Sequence, residues 1–267
     1  MKLLATTRQN TIAVCASLAV LAGCATLGQI NLVSEQQELQ MGAEFAAQLE
    51  TELPFITDPF VLAYIDSLGQ EIVRVSKRNN IPYKFHVVDT DDVNAFAVPG
   101  GYLYVNRGLI EAADTESELA GVIGHEIGHI VGRHSARQMT QQMGVQGIAA
   151  ILLGEAPGQL SSMVAAIAAN GALTSYSRDM ESEADSYGVQ ELYDVGLDPA
   201  GLATFFDKLS AMRGGVQAGR VETFFSTHPD PAARAQTVRN QIAQLPARNL
   251  RKDSPRFQEV KRRVLGN

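Results

Sequence analysis

Two histidines and a glutamate at His125-Glu126-Ile127-Gly128-His129 are the residues best suited to do chemistry in this chain. Residues four apart share one face of a helix, so both imidazoles can reach a single ion, and zinc accepts such ligands. Glu126 sits one step round the same turn, where its carboxylate can take a proton from a polarised water. The chemistry of such a trio is metal-assisted hydrolysis. Thr115 to Ile123 read as the first turns of the same helix, with Leu119, Val122 and Ile123 on its apolar side.

Two histidines leave a catalytic zinc site one protein ligand short. His134 is a candidate, because His125-x-x-x-His129-x-x-Gly132 matches the start of the metzincin pattern. That pattern requires histidine at position 135, which is Ser135 here. If the helix runs on toward Gln138, 100° per residue also turns His134 about 180° from His125. Glu181 is the better candidate. It lies four residues before Asp185 on a later helical stretch, so the two carboxylates share a face. Glu181 can then complete a His, His, Glu site while Asp185 orients a ligand histidine through its other ring nitrogen. Glu183 competes, but lacks the one-turn spacing to Asp185.

The elements that must carry these residues are mostly helical. Ser34 with Gln37 resembles a capping box opening a helix from Glu35, and Asp58-Pro59 is a second helix start. Tyr83 to Val88 alternates as a strand, and Asn94 to Val98 and Gly101 to Val105 flank a Pro99-Gly100 turn. A small antiparallel sheet therefore precedes the metal helix. Its edge, Asn94-Ala95-Phe96-Ala97, is a candidate for holding an extended polypeptide as an added strand. Residues 145–175 are apolar and interrupted at Gly154 to Gly158, which suits buried helices or a flap beside the cleft. Helical stretches follow from Glu181 to about Tyr193, from Asp198-Pro199, and after Thr227-His228-Pro229-Asp230-Pro231. The tail from Arg248 to Arg263 reads as peripheral.

Composition narrows the partners. A net charge of -7, no tryptophan and no long basic run argue against nucleic acid. Lys2 and Arg8 precede a short apolar run, Thr11 to Ala22, and then Leu21-Ala22-Gly23-Cys24. That run is too short to span a bilayer and suits a cleaved leader over residues 1–23. The Leu-Ala-Gly-Cys ending resembles a bacterial lipobox, which would lipidate Cys24, leave residues 24–33 as a tether and make 34–267 one domain. Cleavage removes Lys2, Arg8 and no acid, so -7 becomes -9. Cys15 leaves with the leader, so Cys24 has no disulfide partner. The resemblance to bacterial lipoproteins implies, with Ala25 rather than Asp after the cysteine, the periplasmic face of the outer membrane.

His125-Glu126-Ile127-Gly128-His129 with Glu181-x-x-x-Asp185 resembles the family of the CAAX prenyl endopeptidases and HtpX, and most of all its soluble periplasmic LoiP- and BepA-type branch. Asn94-Ala95-Phe96-Ala97, Pro99-Gly100-Gly101, Arg133-His134-Ser135, Ser177-Arg178 and Thr227-His228-Pro229 carry the same resemblance. The LoiP type fits better than the BepA type, since no residues remain for a C-terminal repeat domain. The resemblance implies a zincin-like α+β fold, endopeptidase activity, one zinc ion, Glu181 as third ligand and Asp185 as its helper. His228 is a candidate for stabilising the tetrahedral oxyanion. Relatives suggest the opposite role, in which His228 fills the open metal position and restrains the enzyme. The rival readings are a zinc-containing chaperone or assembly lipoprotein, and a zinc hydrolase of non-protein substrates.

Overall fold

The computed structural model describes residues 31–266. The leader expected at 1–23 and the lipidation site Cys24 lie outside the described residues. Residues 31–33, the end of the expected tether, rest on the domain: the Leu32 N–H donates to Thr140 Oγ1 at 3.1 Å and Val33 is buried.

Helix α1 (Glu35–Glu52) opens on the Ser34/Gln37 capping box, in which each side chain accepts from the other residue's backbone N–H. Asp58 caps α2 (Pro59–Val73) by accepting from the N–H groups of Phe60 and Val61. Strands β1 (Lys84–Val88), β2 (Ala95–Val98) and β3 (Tyr102–Asn106) form a sheet in the order β1-β3-β2. β2 and β3 are the expected hairpin, turned at Pro99–Gly101, where Gly100 takes a φ of 80°. β1, however, pairs parallel with β3, so the sheet is mixed where an antiparallel one was expected. Alternation gives the sheet two buried faces. Val87, Ala95, Ala97, Leu103 and Val105 enter the main core, while Val88, Phe96, Val98 and Tyr104 enter a second one with Phe45 and Met139.

After the short α3 (Arg107–Ala112), Thr115 caps α4 (Glu116–Val131), which runs through the centre of the molecule. This helix does not continue toward Gln138. It stops at Gly132, and α5 (His134–Leu152) starts after Arg133 in a left-handed conformation. α5 and α6 (Pro157–Asn170) close the second core over α1. Among the described residues no single helix is long and apolar enough to cross a membrane; α5 and α6 pass that test only as a pair bent by 117°. α7 (Arg178–Val195) lies along α4, and α8 (Ala200–Arg213) packs against it. α9 (Glu222–Thr227) and α10 (Pro231–Ile242) follow, and then α11 (Pro255–Val264).

The tail is not peripheral. Phe257 and Val260 of α11 are fully buried in the main core. Just before α11, the carbonyl of Lys252 and the carboxylate of Asp253 accept from the N–H groups of Ser117 and Glu116. Those donors belong to the first turn of α4 and have no partner within the helix. The tail thus secures the start of the helix that carries the histidines.

Candidate metal centre

His125 and His129 lie one turn apart on α4 with their Nε2 atoms 3.0 Å apart, and both are fully buried. Glu126 is buried beside them, and neither of its carboxylate oxygens has a hydrogen-bond partner. The sequence spacing placed these three together, and the structure agrees.

Glu181 and Asp185 reach the histidines because α4 and α7 come unusually close. A Cβ on Gly128 would sit 2.5 Å from the Ala184 carbonyl oxygen, so only glycine permits this approach. Ser177 caps α7, and its first turns bring Glu181 Oε1 to 3.4 Å from His129 Nε2 and Glu181 Oε2 to 3.7 Å from His125 Nε2. Asp185, one turn on, has Oδ1 2.9 Å from His125 Nδ1. Glu183 points elsewhere, to His134 at 3.2 Å and Arg137 at 2.9 Å.

His228 also belongs to the cluster. It ends α9, with Nδ1 3.0 Å from Glu181 Oε1 and 3.3 Å from His125 Nε2, while Nε2 lies 3.5 Å from Glu126 Oε1. Tyr176 covers the site. Its ring stacks on His129 with centroids 3.9 Å apart, and its N–H donates to the Thr227 carbonyl at 3.0 Å. Asn94 is buried at the start of β2 with neither side-chain polar atom partnered, and Ala95, Phe96 and Ala97 are buried along this edge strand.

Sequence reasoning missed two members of the site. Arg234 of α10 is buried, donates from Nη2 and Nε to the two Asp185 oxygens at 2.6 and 2.8 Å, and bonds through Nη1 to Glu181 Oε2. A signal was available, since Pro231, Arg234, Ala235 and Val238 form the buried stripe of α10 and a cation on such a stripe needs a partner. The second is His134, set aside above on the assumption of an unbroken helix. The break at Gly132 returns it to the site, with Nδ1 2.8 Å from His129 Nδ1. Gly132 was the signal, as glycine commonly closes a helix.

Burial sets the protonation of the cluster. It lifts the Glu126 carboxyl above its ordinary range, an effect only partly offset by His228 and His125. It drives His129 well below its ordinary value, despite the nearby Glu181. For Glu181 burial acts the other way, but His228 and Arg234 prevail and hold the carboxylate ionised. Burial likewise opposes the charging of His228, which the carboxylates of Glu181 and Glu126 nevertheless raise above its ordinary value.

The donor set fits a transition-metal ion. Ligand atoms about 2.0–2.1 Å from a tetrahedral zinc lie roughly 3.4 Å from one another. The separations among His125 Nε2, His129 Nε2 and the Glu181 oxygens are 3.0, 3.4 and 3.7 Å. Donor atoms of His125, Glu126, His129 and His228 also fall within 4.8 Å of one another. Glu181 is the stronger carboxylate candidate, because its Oε1 faces the imidazole nitrogens of both His129 and His228.

A central helix bearing buried His-Glu-x-x-His, completed by acids from a second helix, defines a zincin-like metallopeptidase. The chain belongs to peptidase family M48, whose model matches residues 61–242. It is 34% identical over 245 residues to the beta-barrel assembly-enhancing protease of Escherichia coli (strain K12), covering 88% of this chain and 50% of that protein. To the metalloprotease LoiP of the same organism it is 35% identical over 168 residues, 62% of this chain and 65% of LoiP. The mitochondrial metalloendopeptidase OMA1 of Schizosaccharomyces pombe is 31% identical over 176 residues, 66% of this chain and 51% of OMA1. The chain spans about half the length of the assembly-enhancing proteases it matches.

Proposed function

We propose that the chain is a zinc-dependent endopeptidase acting on unfolded or misassembled proteins of the bacterial envelope. In this reading a leader over residues 1–23 is removed, Cys24 carries a lipid, and 34–267 form one peptidase domain at the periplasmic face of the outer membrane. Leu21-Ala22-Gly23-Cys24 supports the anchor, and the envelope-associated name of the Escherichia coli relative supports the substrate class. The observation that carries the catalytic reading is the convergence of His125, His129 and Glu181 within 3.0–3.7 Å beside the unpartnered carboxylate of Glu126.

His125, His129 and Glu181 would hold the zinc, which would supply Lewis acidity and an acidified water. Glu126, buried beside the two histidines, is placed to take a proton from the attacking water and to give it to the leaving amine. Its raised pKa suits a group that must accept a proton and give it back. Asp185 accepts from His125 Nδ1–H, which leaves Nε2 free to ligate. Asn94, Ala95, Phe96 and Ala97 receive the polypeptide along the edge of β2.

The test is digestion of casein by the purified protein and by Glu126→Gln, with zinc content measured in both. The expected result is equal zinc and a loss of cleavage of about 10²–10⁴-fold. Equal cleavage by both proteins rejects the peptidase mechanism. A Glu126→Gln protein that retains its cellular role favours the chaperone reading.

For His228, the geometry supports restraint over oxyanion stabilisation. Its Nδ1 lies within 3.3 Å of both a histidine nitrogen and a glutamate oxygen of the zinc set, as a fourth ligand would. His228→Ala should therefore raise casein cleavage. A fall of roughly two orders of magnitude would restore the oxyanion role.

A further inference from the structure

The turn after α4 accomplishes what helical periodicity cannot. Arg133 takes a φ of 53° and ψ of 37°, and this reverses the path enough to lay His134 against the outer nitrogen of His129. The turn is built for that purpose. A Cβ on Gly132 would lie 2.2 Å from His134 Nε2, so a side chain there would displace the imidazole. A left-handed non-glycine residue costs about 1–2 kcal/mol. The Arg133 side chain holds the conformation by donating to Glu38 Oε2 at 2.6 Å and to the Val33 carbonyl at 2.7 Å.

The polar chain continues outward. His134 Nε2 lies 3.2 Å from Glu183 Oε2, and Arg137 donates to the same oxygen at 2.9 Å. Two donors, His134 and Arg137, thus converge on one Glu183 oxygen, which accepts from both. The 2.8 Å contact between His134 Nδ1 and His129 Nδ1 requires one nitrogen to donate and the other to accept.

We propose that His134 is a positioning residue that, with Glu183, fixes the tautomer of His129. The direction of each hydrogen bond follows from the end of the chain. A carboxylate can only accept, so His134 carries its proton on Nε2. A His129 that is to ligate through Nε2 carries its proton on Nδ1, so His134 Nδ1, 2.8 Å away, is the acceptor. His129 is left with a free lone pair on Nε2, the atom that faces His125 Nε2 and Glu181. The other tautomer would direct a hydrogen at the ion. His125 receives the same instruction directly from Asp185, whereas His129 receives it from a carboxylate through a second imidazole.

The proposal rests on the zinc reading of the site, and the experiment separates the two. Zinc affinity is measured by chelator competition for the full chain and for the His129→Ala, His134→Gln, His134→Met and Glu183→Ala variants, with thermal stability of each zinc-free protein. His134→Gln can still accept from His129 and donate to Glu183, so it should bind within a few-fold of the parent. His134→Met fills similar space but cannot accept the bond well, and should weaken zinc by about 10–100-fold, as lost outer partners of ligands do. Glu183→Ala, at a half-exposed position that tolerates change, should lose several-fold and should shift the His129 proton in histidine-labelled NMR spectra of the zinc-free protein. Equal affinities for the Gln and Met variants, or an unmoved His129 proton in Glu183→Ala, would overturn the proposal. Undiminished zinc binding in His129→Ala would instead overturn the zinc reading itself.

Discussion

The groups of the metal centre reach it by two routes. His125, Glu126 and His129 on α4, with Glu181 and Asp185 on α7, are set by the period of a helix. His134, His228 and Arg234 arrive through turns that change the direction of the chain. Arg133 and Asp230 are the non-glycine residues with positive φ among the described residues, at 53° and 56°. One immediately precedes His134, and the other lies between His228 and Arg234. Backbone strain is thus concentrated where side chains are steered into the site, a common location for it. In the function proposed above, the helical groups are the ligands and base, and the turn-delivered groups orient, neutralise or restrain them.

The sharpest separation of the two routes is in rate. Glu126→Gln removes a helical carboxylate that no turn-delivered group can replace, since the neighbouring turn-delivered group, His228 with Nε2 3.5 Å from Glu126 Oε1, is an imidazole. A rate loss of about 10²–10⁴-fold with the fold intact is expected in single-turnover assays. Removal of the turn-delivered cation should act on stability instead. Arg234→Met leaves Glu181 and Asp185 buried without their shared cation, which costs about 3–5 kcal/mol in denaturant unfolding of the zinc-free protein. Zinc should recover part of that loss, since the ion neutralises Glu181. Arg234→Lys should recover little, because a single ammonium cannot bridge both carboxylates as the guanidinium does. Equal unfolding free energies for the parent and Arg234→Met would break the comparison.

These two routes also explain what could be read from the chain beforehand. Periodicity located α4, the Glu181/Asp185 pair, both early helix caps and the alternation of all three strands. Each is a local rule, satisfied within a few residues. The parallel pairing of β1 with β3 depends on the path through residues 89–94, and alternation carries no information about that path. His134 was misjudged because a single left-handed residue reset the helical phase. Arg234 was missed because its partners are 49 and 53 residues away. The burial of α11 was missed for a related reason: Phe257 and Val260 stand among basic residues, yet both point inward.

α7 carries a third buried carboxylate that tests the helical route by its failure to find a cation. Glu191 is 4% exposed, and neither oxygen has a hydrogen-bond partner. Burial pushes its carboxyl up to about 8; Ser76 and, more weakly, Lys77 oppose the rise, and Asp194 adds to it. Because the folded value lies above the unfolded one of 4.5, the native state holds a proton that the unfolded chain releases between these limits. Stability from this group is complete below about pH 4.5 and is lost as pH rises through about 8. Glu191→Gln should flatten that decline. Thermal melts should match the parent near pH 4.5 and exceed it by a few degrees above pH 8. Parallel pH profiles would mean that Glu191 is ionised in the fold.

The smallest effect concerns the strained turn itself. Asp230 precedes α10 with a φ of 56°, and its side chain makes no capping hydrogen bond to that helix. Its ion pair with Arg178, at 3.3 Å, joins two exposed side chains and contributes little. Asp230→Gly should therefore relieve strain and lose almost nothing in contacts, offset only by the greater freedom of an unfolded glycine. A gain of up to about 1 kcal/mol in denaturant unfolding is expected. If relief of the strain also loosens the path from His228 to Arg234, the variant should gain stability and yet cleave casein differently from the parent. Unchanged cleavage with higher stability would mean that the strain is incidental, and that packing of Pro231, Ala235 and Val238 alone directs Arg234 inward.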